Sequence, residues 1–269
     1  MRIICAIMPD PETPIRKNPK MTFHHRLKQG KPQLATFVKT PHPMVIEVLG
    51  GTDLDALILD CEHSPFGMAD IDRAILAARA VGKPILARLP NDQFSSFLKV
   101  MDMGAEGIVV PHVSTAQKAG EIVQALHYGN GGRGFATTTR AGDYGRVGMK
   151  DHLLANADPT ILVQIEDPAA VDNIDDIVAV PGISGVFLGP ADLAVSYGVN
   201  DPTGPRVIDA MTKVITAARK AALPVACFAS SPDMAKSLYA RGVTLVVLAS
   251  EHTAIQNFFS AEAVAHLRC

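Results

Sequence analysis

No uninterrupted apolar run in this chain approaches the ~20 residues that a helix needs to cross a bilayer, so the sequence predicts no membrane span. The apolar stretch Ile3–Met8 is short, and Pro9-Asp-Pro11 follows it without the small-residue cleavage site of a secretory leader. Neither sign of charge dominates: 25 Lys and Arg stand against 27 Asp and Glu, a formal net charge of −2. That balance gives no electrostatic case for nucleic acid or an anionic membrane as a partner. Cysteine is scarce as well. The four residues Cys5, Cys61, Cys227 and Cys269 show no CxxC spacing, which predicts free thiols in a reducing, cytoplasmic setting and no cysteine zinc site. Also missing is a GxGxxG after the first strand, which argues against a doubly wound nucleotide-binding sheet.

What is present is a globular composition, 48% hydrophobic and 19% charged over 269 residues, enough for one large core. Residues 1–20 are rich in Pro, Lys and Arg and lack periodicity, so they read as a tail without predicted order. Residues 21–269 read as a single domain opening at Met21. Short β-rich runs fall at Leu34–Val38, Ala56–Asp60, Pro84–Arg88, Gly107–Val110, Ile161–Glu166, Gly185–Leu188, Pro224–Phe228 and Thr244–Leu248. Between most of them lie stretches with helical spacing, such as Met68–Val81, Ser114–His127, Ala169–Val180, Val207–Ala221 and Pro232–Arg241. Strands alternating with helices in this number predict an α/β fold of the (β/α)8 TIM-barrel type, with its active site at the C-terminal ends of the strands. Gly82, Gly104 and Gly242 stand between helix and strand, where a helix stop is required. The stretch from Tyr128 to about Asp158 has no predicted element and contains Gly129-Asn-Gly-Gly-Arg-Gly134, the mark of a functional or mobile loop.

Polar residues concentrate where the apolar runs stop. Leu57-Ile-Leu-Asp-Cys-Glu-His-Ser-Pro65 brings Asp60, Glu62 and His63; the third strand ends at Arg88 and the fourth at Pro111-His112. The fifth ends at Gln164 and Glu166, and the sixth runs into Gly189-Pro190-Ala191-Asp192. A carboxylate just after a buried strand costs stability unless it is paired or binds a cation. Either one alone has the reading of a helix cap. Glu166 and Asp192 together, on adjacent strands, predict oxygen ligands for Mg²⁺ or Mn²⁺ with positions left open for water and substrate. Arg88 ends a buried run and must meet an anion, from the protein or a substrate. His63, one of nine histidines, gains weight only from lying three residues after Asp60. The backbone N–H groups of Gly189, Ala191 and Asp192 offer a cradle for a substrate carboxylate. Schiff-base chemistry needs a desolvated lysine on the inner strand face. Lys83 precedes the third strand and Lys99 and Lys213 lie in helical patterns, so no lysine is suitably placed and the metal route is favoured.

At these residues the chain resembles the HpcH/HpaI family of class II pyruvate aldolases, of the phosphoenolpyruvate/pyruvate barrel superfamily. The matching segments are Leu59-Asp-Cys-Glu-His-Ser-Pro65, Ala87-Arg-Leu-Pro-Asn-Asp92, Gly107-Ile-Val-Val-Pro111, Gly132-Arg-Gly134, Val163-Gln-Ile-Glu166 and Gly185-Val-Phe-Leu-Gly-Pro-Ala-Asp-Leu193. The resemblance implies reversible cleavage of 4-hydroxy-2-oxo acids to pyruvate or hydroxypyruvate and an aldehyde, with Mg²⁺ or Mn²⁺ (Co²⁺ also fits) on Glu166 and Asp192. Arg88 would stabilise the enolate at the keto oxygen. His63 would act as acid/base through a metal-associated water, paired with Asp102. Gln164 would support the metal's water shell, and the Ala191–Asp192 backbone would hold the 2-oxo acid carboxylate. It further implies a homo-oligomer, a hexamer whose neighbouring chains complete each site. Where the family has glycine this chain has Cys61, and the segments Thr137–Tyr144 and Cys227–Ser231, expected near the aldehyde, do not repeat the residues of the family's dicarboxylate-cleaving member. Two other readings compete. A malyl- or citramalyl-CoA-type lyase would need a basic patch for nucleotide phosphates, and none is visible; a barrel binding 2-oxo acids without turnover would lose only ligand affinity on substitution of His63 and Arg88.

Overall fold

A computed structural model describes residues 21–129 and 131–267 of the chain. The predicted tail over residues 1–20, with Cys5, and the terminal Cys269 lie outside the described residues. Eight parallel strands close into a barrel in sequence order, each hydrogen-bonded to the next and the last to the first. They are β1 (Gln33–Val38), β2 (Ala56–Asp60), β3 (Ile85–Arg88), β4 (Gly107–Val110), β5 (Thr160–Ile165), β6 (Gly185–Leu188), β7 (Val225–Ala229) and β8 (Leu245–Ser250). The expected barrel is the observed one, and every strand lies within two residues of its expected bounds.

The barrel forms because each strand divides its side chains between two apolar environments. Phe37, Ile58, Leu86, Val109, Leu162, Phe187, Ala226 and Val247 fill the interior. Their alternating neighbours, such as Leu57, Leu59, Ala87 and Val163, pack outward beneath the helices. The helix Phe23–Lys28 closes the N-terminal end, for Phe23 and Leu27 are buried in the interior cluster. That plug leaves the strand C-termini as the open mouth.

The stretches named for helical spacing are helical, one of them in two pieces, and helices also form outside them. Met68–Val81 matches its expected span and stops at Gly82, whose φ of +70° is the left-handed conformation a Cβ disfavours. Gly104 and Gly242 share that left-handed backbone, at φ +95° and +100°. The span Ala169–Val180, expected as one helix, is two, Pro168–Asp172 and Ile174–Val178. They break at Asn173, whose backbone leaves the helical range at φ −90° and ψ +12° and whose side-chain amide donates to the Ser114 carbonyl at 2.9 Å. The stretch after Tyr128, expected to be without elements, contains the helix Met149–Ala155, and its His152 is fully buried against the Tyr128 hydroxyl at 2.8 Å. Cys61 and Cys227 are buried free thiols, and burial pushes both up to about 12, as the reading of inert cysteines requires. Among the described residues no helix is long and apolar enough to cross a membrane.

Candidate active site

The strand alternation that fills the barrel also sets the polar residues at its mouth. One pleat beyond Ile58 comes Asp60, beyond Leu86 comes Arg88, and beyond Leu162 come Gln164 and then Glu166, all turned inward. Asp60, Arg88 and Gln164, with His63 and the Gly189–Asp192 turn, bound a pocket of about 410 Å³, and Glu166 is buried against Gln164 and Gly189 of its lining. A cavity of similar volume lies on the outer face between the helices Phe94–Asp102 and Ala116–Leu126, lined by Asp92, Phe94 and Lys118. It gathers no comparable chemistry.

The carboxylate half of the site lies on β5 and β6. Glu166 is 2% exposed, and its Oε1 accepts the His112 backbone N–H at 2.7 Å while Oε2 accepts the Gln164 amide. The backbone at His112 is left-handed, φ +53°, which aims that N–H at the carboxylate. A Cβ on Gly189 would lie 3.2 Å from both Glu166 Oε2 and Asp192 Oδ2, so both acids press on the same glycine. Burial, and then the charges of Asp192 and Glu62, raise the Glu166 pKa against the opposing His112 N–H and imidazole. Among the described residues no three or more His, Cys, Asp or Glu side chains gather into a ready-made metal cage. The donors present fit an open oxygen site instead: two carboxylates whose mutual repulsion a divalent cation relieves. Beside them the buried Gln164 Oε1, which has no protein partner, can accept from a bound water.

The cationic half lies on β2 and β3. Arg88 Nε and Nη2 donate to Asp60 Oδ1 at 3.1 and 2.8 Å, and Nε stands 3.3 Å from Glu62 Oε2. The guanidinium also lies over the Phe37 ring, 4.4 Å from its centroid. The anion that Arg88 was expected to meet is thus first a protein carboxylate. His63 is exposed at the rim; its backbone N–H donates to Asp60 Oδ1 at 3.1 Å, and its Nε2 is 3.8 Å from Glu62.

Four further features lie as follows in the single chain. Asp102 ends the helix Phe94–Asp102, which leads to the N-terminal end of β4, across the barrel from His63. Its neighbours are Arg133, 3.9 Å away, and His152. Thr137–Tyr144 packs on the outside of the barrel, where Arg140 pairs with Asp72 at 2.7 Å, and not at the mouth of its own chain. Gly189 cannot serve the carboxylate cradle, because its N–H donates to the Ile165 carbonyl at 3.3 Å. Pro190 is buried beside it, and the N–H groups of Ala191 and Asp192, in the first turn of Pro190–Ser196, remain without intrahelical acceptors. Lys39, which the sequence reading does not weigh, reaches the mouth, and its Nζ pairs with Asp60 Oδ2. The missed signal was alternation: Ala35, Phe37 and Lys39 share one face, although the apolar run stops at Val38. An amine held by a carboxylate is not the apolar setting of an imine-forming lysine.

Known proteins share the fold and sequence pattern of this chain. The sequence pattern of the HpcH/HpaI aldolase/citrate lyase family matches residues 33–257. The 2-keto-3-deoxy-L-rhamnonate aldolase of Escherichia coli strain K12 is 32% identical over 235 residues, covering 84% of this chain and 85% of that protein. An HpcH/HpaI aldolase/citrate lyase family protein from Burkholderia cenocepacia J2315 superposes with a TM-score of 0.86 at 27% identity, over 91% of this chain and 98% of its own. An HpcH/HpaI aldolase from Desulfitobacterium hafniense DCB-2 does so with a TM-score of 0.85 at 26% identity, over 92% and 97%. The chain belongs to the HpcH/HpaI aldolase/citrate lyase family of carbon–carbon lyases.

Proposed function

We propose that the chain is a divalent-metal-dependent aldolase that reversibly cleaves 4-hydroxy-2-oxo acids to pyruvate, or hydroxypyruvate, and an aldehyde. The observation that carries this reading is a pocket lined by both Asp192 and Arg88, with the buried Glu166 pressed against the same Gly189 as Asp192. Bound by Glu166 and Asp192, a Mg²⁺, Mn²⁺ or Co²⁺ ion supplies Lewis-acid stabilisation of the charge that develops on the keto oxygen. The protein's own groups do the rest. The Ala191 and Asp192 N–H groups orient the 2-oxo acid carboxylate, and Gln164 holds Glu166 in place. Asp60 fixes Arg88 so that its remaining N–H groups face the same oxygen. His63 takes the proton of the C4 hydroxyl, the C3–C4 bond breaks, and its electron pair becomes the enolate of pyruvate as the aldehyde departs. Return of a proton to C3 completes pyruvate.

Asp102 enters this scheme as the partner of His63 only if a neighbouring copy brings it to the mouth, which the family resemblance supports. Exposed Ile255, Phe258 and Phe259 on the helix Glu251–Leu267 support such a homo-oligomer, a hexamer in this reading. The free buried thiols support a cytoplasmic setting. The test is pyruvate release from a panel of 4-hydroxy-2-oxo acids, with Mg²⁺, Mn²⁺ or Co²⁺ and without. Release from at least one member that depends on added ion is expected; no release from any, with ion present, contradicts the proposal.

A further inference from the structure

The wall of the pocket formed by β7, β8 and β1 carries none of the groups used in the scheme above. Its floor is apolar: Phe37 stacks on Phe228 with centroids 6.2 Å apart and 28° between planes, and Phe187 lies 6.0 Å from Phe37. The polar groups at its rim are Lys39, Ser250, His252 and Thr253. All can donate. Ser250 and Thr253 bond to each other at 3.3 Å, and His252 Nε2 lies 2.8 Å from the Thr40 hydroxyl.

The carboxylates of this region are turned away from a ligand. Glu251, 6% exposed, accepts the backbone N–H groups of Lys39 and Thr40 at 2.6–3.1 Å and lies 3.5 Å from His252. Asp60, 1% exposed, has Oδ1 on Arg88 and Oδ2 on Lys39. Lys39 itself keeps 26% of its side chain exposed. An ammonium has three donors and Asp60 occupies one, which leaves two for a ligand. Whatever enters along the aromatic floor therefore meets a fixed cation with a carboxylate behind it, not an open carboxylate.

We infer that Lys39 determines specificity for the aldehyde half of the substrate by binding a terminal anionic group on it, a carboxylate or a phosphate. Ser250 or Thr253 gives a second donor, and the chain of the aldehyde lies on Phe37 and Phe228. A cavity of about 410 Å³ limits that aldehyde to a few carbons beyond pyruvate. The inference rests on the aldolase reading and deepens it.

The test is aldol addition of pyruvate, by the metal-loaded protein, to three aldehydes: 4-oxobutanoate, glyceraldehyde 3-phosphate and neutral butanal. The wild type is expected to favour at least one anionic aldehyde over butanal by about tenfold or more in kcat/KM, the scale of one charge-assisted hydrogen bond. The preferred member identifies carboxylate or phosphate. Lys39→Gln lowers that ratio about tenfold, and Lys39→Arg restores most of it. A wild-type ratio near one overturns the inference, and this decides the matter even if Lys39→Gln does not fold. An equal loss toward all three aldehydes in Lys39→Gln also overturns it, because Lys39 then only balances Asp60. Deuterium exchange into the pyruvate methyl group, run without aldehyde, separates the two readings. Exchange without anion preference sinks the role of Lys39 alone, while no exchange in the metal-loaded wild type sinks the aldolase.

Discussion

At the scale of single residues, Asp60 ties together one side of the mouth. Burial alone would push its carboxyl up, but the Arg88 charge and hydrogen bonds from Lys39, Arg88 and the His63 N–H outweigh that and hold it below the usual carboxylate range. A carboxyl with a lower pKa folded than unfolded adds stability that is complete above its unfolded value, about 4, and is lost as pH falls through its folded value. Asp60→Asn, which leaves Arg88 buried without its charge partner, should therefore cost about 3 kcal/mol at pH 7. The gap to wild type should narrow as pH falls below about 4. Urea unfolding of both proteins across pH checks this, and a gap that does not change with pH contradicts it. His112 has the opposite sense: burial lowers its pKa, but Glu166, Asp167 and Glu62 outweigh burial and raise it, so it favours the imidazolium beside the carboxylates.

At the scale of elements, the barrel depends on strands close enough to pair over short spans. β4 begins at Gly107 because a Cβ there would stand 2.1 Å from the Thr160 carbonyl oxygen of β5. Gly107→Ala forces backbone apart between two paired strands, and a loss of about 2 kcal/mol or more in chemical denaturation is expected. An unchanged midpoint contradicts so tight a pairing. The strands were legible because each is a short apolar run ended by a polar residue, and the site carboxylates were legible for the same reason. Lys39 was not, since reading the run to its apolar end at Val38 hides the inward face that continues one residue further. For the Gly189 N–H, spacing shows a donor but not its acceptor, which is the Ile165 carbonyl and not a substrate. Asn173 likewise looks helical in periodicity, and only the fold brings the Ser114 carbonyl to its side chain.

At the scale of the whole molecule, one chain holds the proposed metal, enolate and aldehyde walls but leaves Asp102 and Thr137–Tyr144 outside its own pocket. If a neighbouring copy supplies Asp102, His63→Ala and Asp102→Ala are each inactive, yet subunits dissociated, mixed equally and reassembled regain up to about a quarter of wild-type activity. Mixtures as inactive as either parent contradict a shared site. The central claim concerns the two acids at the strand ends. It is tested most directly by deuterium exchange into the pyruvate methyl group, followed in wild type, Glu166→Ala and Asp192→Ala before and after chelation. The account predicts exchange in wild type that stops on chelation and returns with Mg²⁺ or Mn²⁺, and neither variant recovering it at the same ion concentration; exchange that survives exhaustive chelation, or either variant matching wild type, would contradict it.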